Sequence, residues 1–398
     1  MEAEASKADE TIQVGRLLWS LYLCCFASLA AMRICDSMLT SLEASFAVDQ
    51  QHAAHTISAF ALAYGVLQLF FGPLGDRFGK VRVIAFATLG CALGNIAAFA
   101  SGNIHQLLLA RAVSGATAAG IVPLTMAWIG DSVAYRRRQE ILARLLGATV
   151  CGTIFGQWAG GAISSVVSWR VAFLIISVVL GISGALTFRE ARARPAVTQL
   201  SQGQFLENMV SVIQTPWARV VLTITMIEGC FAYTALAFLP THIHKAVGVQ
   251  MSQAGLVVGL YGIGGLVYSR AAKILLGQLG EAGFATLGGL LLAVSYVTLS
   301  ACHELSVNLL ACFGAGFGFY VLHNTLQLNA TQMSPTYRGT AVSLFSCSLY
   351  LGQSIGILLG AVLLERTSTS NLLFLIGLGL LVTGGAFAVL LQHRRGLR

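Results

Sequence analysis

Long apolar runs and short polar segments alternate along the chain, from about residue 17 to about residue 391. Each run holds about twenty residues, the length that an α-helix needs to cross a bilayer. The apolar positions are continuous and lack the alternation of a membrane β-strand, so the pattern favours helices over a closed barrel. It predicts twelve spans, at residues 17–40, 56–75, 83–101, 104–128, 141–164, 171–188, 218–240, 252–271, 283–301, 305–330, 340–364 and 371–391.

Composition supports a chain that lies in lipid. Of the residues, 56% are hydrophobic and 10% are charged, and the mean hydropathy is +0.76. A soluble domain carries about 25% charged residues, so the predicted fold class is an all-α membrane protein with twelve transmembrane helices. The nine cysteines form no CxxC pair. No catalytic motif, metal cluster or P-loop stands out, so the sequence predicts no enzyme, no metal, no cofactor and no use of ATP.

Basic residues are distributed unevenly between the two sides of the predicted bundle. With the N-terminus in the cytoplasm, nineteen Lys and Arg residues fall on the cytoplasmic side and three on the other. The positive-inside rule then places both termini in the cytoplasm, and we expect a multi-pass protein of the bacterial inner (plasma) membrane. Contact with anionic lipid headgroups explains the net charge of +8, so no nucleic acid partner is expected.

A long polar segment divides the chain into two halves of six spans. The predicted parts are a cytoplasmic tail (1–16), a six-helix bundle (17–188), a cytoplasmic linker (189–217), a second six-helix bundle (218–391) and a basic cytoplasmic tail (392–398). Glycines of the first half recur 200 positions later, since Gly152, Gly156 and Gly160 are followed by Gly352, Gly356 and Gly360. This repeat predicts two pseudo-symmetric bundles packed through glycine contacts.

The turn between spans two and three carries a specific charged motif, Gly72-Pro-Leu-Gly-Asp-Arg-Phe-Gly-Lys-Val-Arg82. It resembles the signature between helices 2 and 3 of the major facilitator superfamily. The matching positions are Gly72, Leu74, Asp76, Arg77, Gly79, Lys80 and Arg82. The resemblance implies the fold of that superfamily and a cytoplasmic latch, in which Asp76 pairs with nearby arginines or with the start of span eleven. The alternative is a basic loop that only sets the topology.

Few ionisable residues lie inside the predicted spans, and such residues are candidates for function. Arg33 and Asp36 stand three apart in span one, and Arg111 lies in span four. The run from Arg111 to Gly115 resembles the helix 4 signature of the same superfamily. The resemblance implies that Asp36 carries a proton and that Arg111 tunes it. The alternatives are a static salt bridge, or an Asp36 that reaches the outer water; Arg33 either lines the substrate cavity, snorkels or pairs with Asp36.

The second half has its own polar residues in the spans. Glu228 lies near the middle of span seven and is either a second proton or cation site or a protonated, hydrogen-bonded side chain. His323, Asn324 and Gln327 lie in span ten, where they could contact a ligand in the cavity. A structural hydrogen bond is the simpler interpretation for these three side chains.

Span five is rich in glycine, with Gly152, Gly156, Gly160 and Gly161. This run resembles the antiporter signature of the superfamily, except that Gln157 stands where that signature has proline. The departure weakens the resemblance to antiporters, and a glutamine that faces the cavity could contact substrate. Close helix packing alone also explains the glycines.

Together these patterns predict a monomeric, alternating-access secondary transporter that resembles the drug:proton antiporter branch of the superfamily. Its expected partners are protons, a small-molecule substrate and the lipid bilayer. The first functional hypothesis is proton-coupled export of a small organic compound. The alternative is proton-coupled or facilitated uptake of a small metabolite such as a vitamin, which Gln157, Arg33 and Arg111 favour. A receptor, a membrane enzyme and a channel are disfavoured.

Overall fold

The structure, a computed structural model, describes residues 2–133, 135–192, 205–334 and 336–396. Within these ranges all regular secondary structure is α-helical. The helices are α1 (Glu2–Arg33), α2 (Leu39–Phe46), α3 (Gln50–Phe78), α4 (Lys80–Phe99), α5 (Ile104–Ala118), α6 (Ile121–Ser132), α7 (Tyr135–Val166), α8 (Trp169–Arg192), α9 (Phe205–Gln214), α10 (Pro216–Val247), α11 (Met251–Ala301), α12 (Leu305–Ala330), α13 (Arg338–Leu364) and α14 (Thr369–Gly396).

Twelve segments of these helices are long and apolar enough to cross a membrane. Each corresponds to one predicted span. Helices α5 and α6 together form the fourth segment, and α11 contributes the eighth and ninth, Met251–Ala271 and Gln278–Ala301. Near the start of the second of these segments, α11 is kinked at Gly280, which has φ of 63°. The predicted class, an all-α membrane protein with twelve spans, is confirmed.

Two predicted spans are broken helices. The first was expected to be continuous over 17–40, but α1 ends at Arg33 and a turn over residues 34–38 leads into α2. In span four, α5 ends at Ala118 and α6 begins at Ile121. Pro123 explains the second break, because a proline ring clashes with the carbonyl group four residues earlier and lacks the N–H of a helical bond.

The predicted linker and tails coincide only partly with the described residues. Helix α8 continues to Arg192, which is beyond the expected start of the linker at residue 189. Residues 193–204 lie outside the described residues, and α9 covers the end of the linker. In the expected tails, residue 1 and residues 397–398 also lie outside the described ranges.

The same glycine contacts occur in both halves of the chain. A Cβ added at the three repeat glycines of α7 would meet the backbone of α1 or of the residue just after it, at Phe26, Ala30 and Ile34. A Cβ added at the equivalent glycines of α13 would meet α10, at Met226, Cys230 and Thr234. The contacted residues therefore differ by 200 positions, as the glycines do. Glycine allows this close approach because it has no side chain.

The two halves meet through α3 with α13 and through α7 with α11. Near the end of the bundle opposite the termini, the Ser354 hydroxyl donates to the Ser58 carbonyl over 3.1 Å. At the same end, an added Cβ at Gly161 would meet the backbone of Met251. Glu43 of α2 lies close enough to Lys245 of α10 for their charges to attract; burial raises the pKa of Glu43 and the Lys245 charge opposes that rise. These contacts close one end of the interface and leave a cavity at its centre.

Candidate functional site: a central cavity between the two halves

A cavity of about 100 Å³ lies at the centre of the bundle. The first half contributes Arg33 and two threonines, Thr149 and Thr153. The second half contributes an aromatic wall, made of Tyr233, Tyr261, Phe319, Tyr320 and Tyr350. The cavity therefore combines one cation with rings that carry hydroxyl groups. Such a wall can contact both the apolar body and the polar atoms of a small molecule.

Arg33 is the charged group of this cavity, and only 3% of its surface is exposed. Its Nη1 lies 3.5 Å from Oδ2 of Asp36. Its guanidinium carbon lies 4.6 Å above the centre of the Tyr233 ring, in cation–π geometry. Its Nε is buried and has no hydrogen-bond partner. Arg33 is thus a buried cation whose hydrogen-bonding capacity is only partly used.

Asp36 lies in the turn between α1 and α2 and is fully buried. Its Oδ2 accepts from Arg33 and, over 3.4 Å, from Nε2 of Gln157 on α7. Its Oδ1 has no hydrogen-bond partner. In this conformation Asp36 does not reach outer water directly. Gln157, which the sequence placed in the cavity, instead contacts the carboxylate behind Arg33.

Arg111 differs from Arg33 although both are buried arginines. Its Nη1 and Nη2 donate to the carbonyls of Ala31 and Met32 over 2.8 and 3.3 Å, and its Nε donates to the Thr56 carbonyl over 3.2 Å. Its guanidinium also lies over the Phe60 ring. The last carbonyls of a helix lack intrahelical partners, so Arg111 completes the end of α1 just before the turn that carries Asp36.

In the second half, Glu228 and His323 form a pair. Glu228 of α10 is fully buried, and its Oε2 lies 3.0 Å from Nδ1 of His323 on α12. Its Oε1 has no hydrogen-bond partner. The His323 ring stacks on Phe319, which lines the cavity, with 5.0 Å between ring centres. The pair therefore lies behind the aromatic wall, as Asp36 lies behind Arg33.

The other polar residues of span ten lie outside the lining of the cavity. Asn324 donates to the Tyr320 carbonyl over 2.9 Å, within its own helix. Gln327 is half-buried one turn further along α12. Of the three candidates in this span, His323 is the one that the structure brings together with Glu228.

Comparison with known proteins identifies the family. The sequence profile described as Major Facilitator Superfamily matches residues 21–356. The chain belongs to the major facilitator superfamily. It is a transporter of that superfamily, and its twelve spans match the twelve-helix branch.

Relatives of this transporter are named for different functions. It is 23% identical to an uncharacterized transporter of Buchnera aphidicola subsp. Schizaphis graminum, over 88% of this chain and 85% of that one. It is 24% identical to a probable sulfoacetate transporter, SauU, of Cupriavidus necator, over 84% and 83%. It is 28% identical to the efflux pump dotC of Dothistroma septosporum, over 48% of this chain and 33% of that one.

Solved structures share the fold of this transporter at low sequence identity. The nucleoside transporter NupG matches with a TM-score of 0.79 and 12% identity, over 94% of this chain and 99% of the other. A bacterial homologue of the human lysosomal transporter Spinster, described as inward-facing and unoccupied, matches with a TM-score of 0.72 and 15% identity, over 95% and 94%.

The charged hairpin of the transporter forms a small ion-pair network within the first half. Lys80 Nζ lies 2.8 Å from Oδ1 of Asp76 and 2.9 Å from Oδ2 of Asp131, at the end of α6. Among the described ion pairs Asp76 thus has a lysine as its partner, where the sequence favoured arginines or the start of span eleven. The Arg77 guanidinium lies 5.0 Å from the centre of the Phe78 ring.

The two hairpin glycines have different surroundings. Gly79 has φ of +88°, a conformation that glycine adopts far more readily than other residues, and it separates α3 from α4. A Cβ at Gly72 would meet nothing within 4 Å. Gly72 therefore makes no close helix contact here. Gly75, one turn later, packs against Leu124 instead.

The aromatic wall and one buried amide were not predicted from the sequence. Tyr233 stands 200 positions after Arg33, so the glycine repeat could have identified it as the residue facing Arg33. Gln353 of α13 is fully buried and neither side-chain polar atom has a hydrogen-bond partner. Its equivalent in the first half is Thr153, which lines the cavity. No recognisable motif in the sequence identified Asp131, the second partner of Lys80.

Proposed function

We propose that this transporter is proton-coupled and moves a small organic compound by alternating access. One observation carries the proposal: each half holds a fully buried carboxylate beside the cavity, Asp36 and Glu228, and each has one oxygen without a hydrogen-bond partner. An ionised carboxylate in such a place is expensive unless it is well paired. Small changes in its partners therefore shift the balance between its ionised and protonated forms.

The interface between the halves supports alternating access. Its described contacts, such as Ser354 with Ser58, close the end opposite the termini. With both termini in the cytoplasm, as the distribution of basic residues supports, this end faces away from the cytoplasm. The likeness to a structure described as inward-facing agrees with that orientation. We further propose a monomer in the bacterial inner membrane.

Export is the direction that the sequence motifs support. The glycines of α7 resemble the antiporter signature, and the efflux pump dotC matches about half of the chain. In this arrangement a proton entering the cell would drive a compound out. The hairpin would act as the latch of the exporter, with Asp76 and Lys80 changing partners as the cytoplasmic side opens and closes.

Uptake is the direction that the cavity supports. At about 100 Å³ the cavity is smaller than a typical drug site of about 300–1,000 Å³. The proline of the antiporter signature is replaced by Gln157, which bonds to Asp36. A relative named as a probable sulfoacetate transporter matches over most of both chains. We therefore favour uptake of a small metabolite over export of a drug-sized compound.

Flux in proteoliposomes tests the proposal. The purified transporter is reconstituted, a pH gradient is imposed, and flux of organic anions, lipophilic cations, neutral antimicrobials and vitamins is recorded with its direction. Accumulation of any compound that depends on the pH gradient supports proton coupling. Movement with the protons indicates uptake and movement against them indicates export. Flux that equilibrates compounds without regard to pH contradicts proton coupling.

A further inference from the structure

The buried positive charge of Arg33 requires a negative charge beside it. Either Asp36 or an anion bound in the cavity can supply that charge. A buried cation without a compensating charge is strongly unfavourable. In this structure Asp36 balances the charge of Arg33 from the side away from the cavity. Arg33 itself lines the cavity, and its Nε has no hydrogen-bond partner. An anion in the cavity would meet a donor group that is already oriented and mostly desolvated. Arg111 offers no such position, because its nitrogens are used by three backbone carbonyls.

The Arg33–Asp36 pair is loosely held. Its 3.5 Å separation exceeds the usual 2.7–2.9 Å of a charge-assisted hydrogen bond by about 0.7 Å. The other contact of Asp36, with Gln157, is 3.4 Å long. The titratable and charged groups that face Asp36 are Arg33 on α1, Cys35 beside it in the turn and Arg111 on α5. Asp36 is the carboxylate in the one described ion pair of Arg33, so Arg33 depends on Asp36 while the cavity is empty.

We propose that the substrate is a small organic anion whose oxyanion group takes the place of Asp36 at Arg33, while Asp36 takes up one proton. This proposal rests on the proton-coupled function above and adds its substrate class and its coupling rule. Arginine is suited to the task because its planar fork matches carboxylate and sulfonate groups. The tyrosines opposite Arg33 would contact the rest of the anion.

Charge balance then links substrate and proton. When the cavity is empty, Arg33 and ionised Asp36 sum to zero. When the anion is bound, Arg33 and the anion sum to zero and Asp36 is neutral, because its carboxylate has gained a proton from solvent. Anion and proton therefore bind together and leave together, so the complex carries no extra charge across the membrane. Transport of this kind is symport, and an inward proton gradient drives uptake.

Proton uptake on anion binding tests the rule directly. Purified transporter in detergent and weak buffer, with a pH-indicator dye, is titrated with four monoanions: benzoate, benzenesulfonate, acetate and methanesulfonate. Benzyl alcohol and benzylamine are the neutral and cationic controls. We expect saturable uptake of one proton for each bound anion, and no uptake with either control. At pH values where Asp36 of the empty transporter is ionised, the anion affinity should weaken about tenfold for each unit by which the pH rises.

Three variants separate the roles of the residues. In Asp36→Asn the anion should still bind, but without proton uptake and with an affinity independent of pH. Arg33→Gln should weaken anion binding about thirtyfold or more, as expected when one member of a buried charge pair is removed. Arg366→Gln, which removes an exposed arginine near the far end of the bundle, should keep both affinity and proton uptake. If Asp36→Asn does not fold, the pH dependence of the wild-type affinity decides alone.

Several results would overturn the proposal. These are failure of all four anions to bind, binding without proton uptake or with proton release, and loss of anion binding in folded Asp36→Asn. The flux in proteoliposomes distinguishes these results from failure of proton coupling itself. If the proteoliposomes show pH-driven flux of a cation or a neutral compound while the anions fail, the proposed function stands and the substrate class is wrong.

Discussion

The two halves of the transporter share their packing and differ in the chemistry of the cavity. The glycines of α7 and α13 approach α1 and α10 at positions that correspond across the 200-residue repeat. Arg33 and Tyr233 also correspond, and they contact each other at the centre. The first half thus supplies the cation with its carboxylate, and the second half supplies the aromatic wall with the Glu228–His323 pair. The repeated architecture holds the halves together, and the unequal residues give the cavity two different walls.

The two buried arginines of the first half give the sharpest contrast. We expect Arg111→Leu to cost about 3–5 kcal/mol of stability, because three carbonyls, two at the end of α1 and that of Thr56 on α3, lose their donor. The double variant Arg33→Leu/Asp36→Asn should lose less stability than Arg111→Leu, since it removes both charges of the buried pair. Thermal unfolding in detergent measures both. Equal destabilisation would contradict the division into a structural and a cavity arginine.

The glycine contacts test how far the packing of the halves is equivalent. Gly152→Val and Gly352→Val should each destabilise by about 1–3 kcal/mol, because the new side chain meets the backbone of α1 or α10. Gly147→Val is the matched control in the same helix, since a Cβ there meets nothing within 4 Å. A control as unstable as Gly152→Val would show that helix propensity, rather than close approach, causes the effect.

The carboxylate of the second half tests whether proton coupling is shared. Glu228→Gln keeps the shape of the side chain and should change stability by no more than about 1 kcal/mol. If Glu228 carries a transported proton, pH-driven flux should fall while exchange of substrate across a membrane without a gradient persists. Unchanged coupling would leave Asp36 as the single proton site and make the two halves still more unequal.

The hairpin is expected to give the smallest effect on stability. Asp76→Asn and Asp131→Asn each leave Lys80 with one carboxylate, and both aspartates are more than half exposed. Each should change stability by about 0.5 kcal/mol or less. Turnover should slow in Asp76→Asn if the hairpin acts as a latch. Turnover equal to wild type in both variants and in their double would reduce the hairpin to a signal for topology.

Hydropathy predicted the twelve spans because burial in lipid leaves long continuous apolar runs. It could not predict the break after Arg33. That break depends on Arg111, which lies 78 positions later and completes the end of α1. The Glu228–His323 pair joins residues 95 positions apart, on helices whose rotation a single sequence does not specify. Residue types were therefore predictable, and most of their partners were not.

The break after Arg33 also gives the first span a hinge between α1 and α2. Helix α2 is eight residues long, or about 12 Å at 1.5 Å per residue. Near the end of this helix, Ser45 accepts a hydrogen bond from the Trp169 indole, at the end of the bundle opposite the termini. A rotation of about 10° at the turn would swing the far end of α2 by roughly 2 Å. Asp36, the proposed proton carrier, therefore lies at the pivot of α2, and the far end of α2 lies where the two halves close at the end opposite the termini.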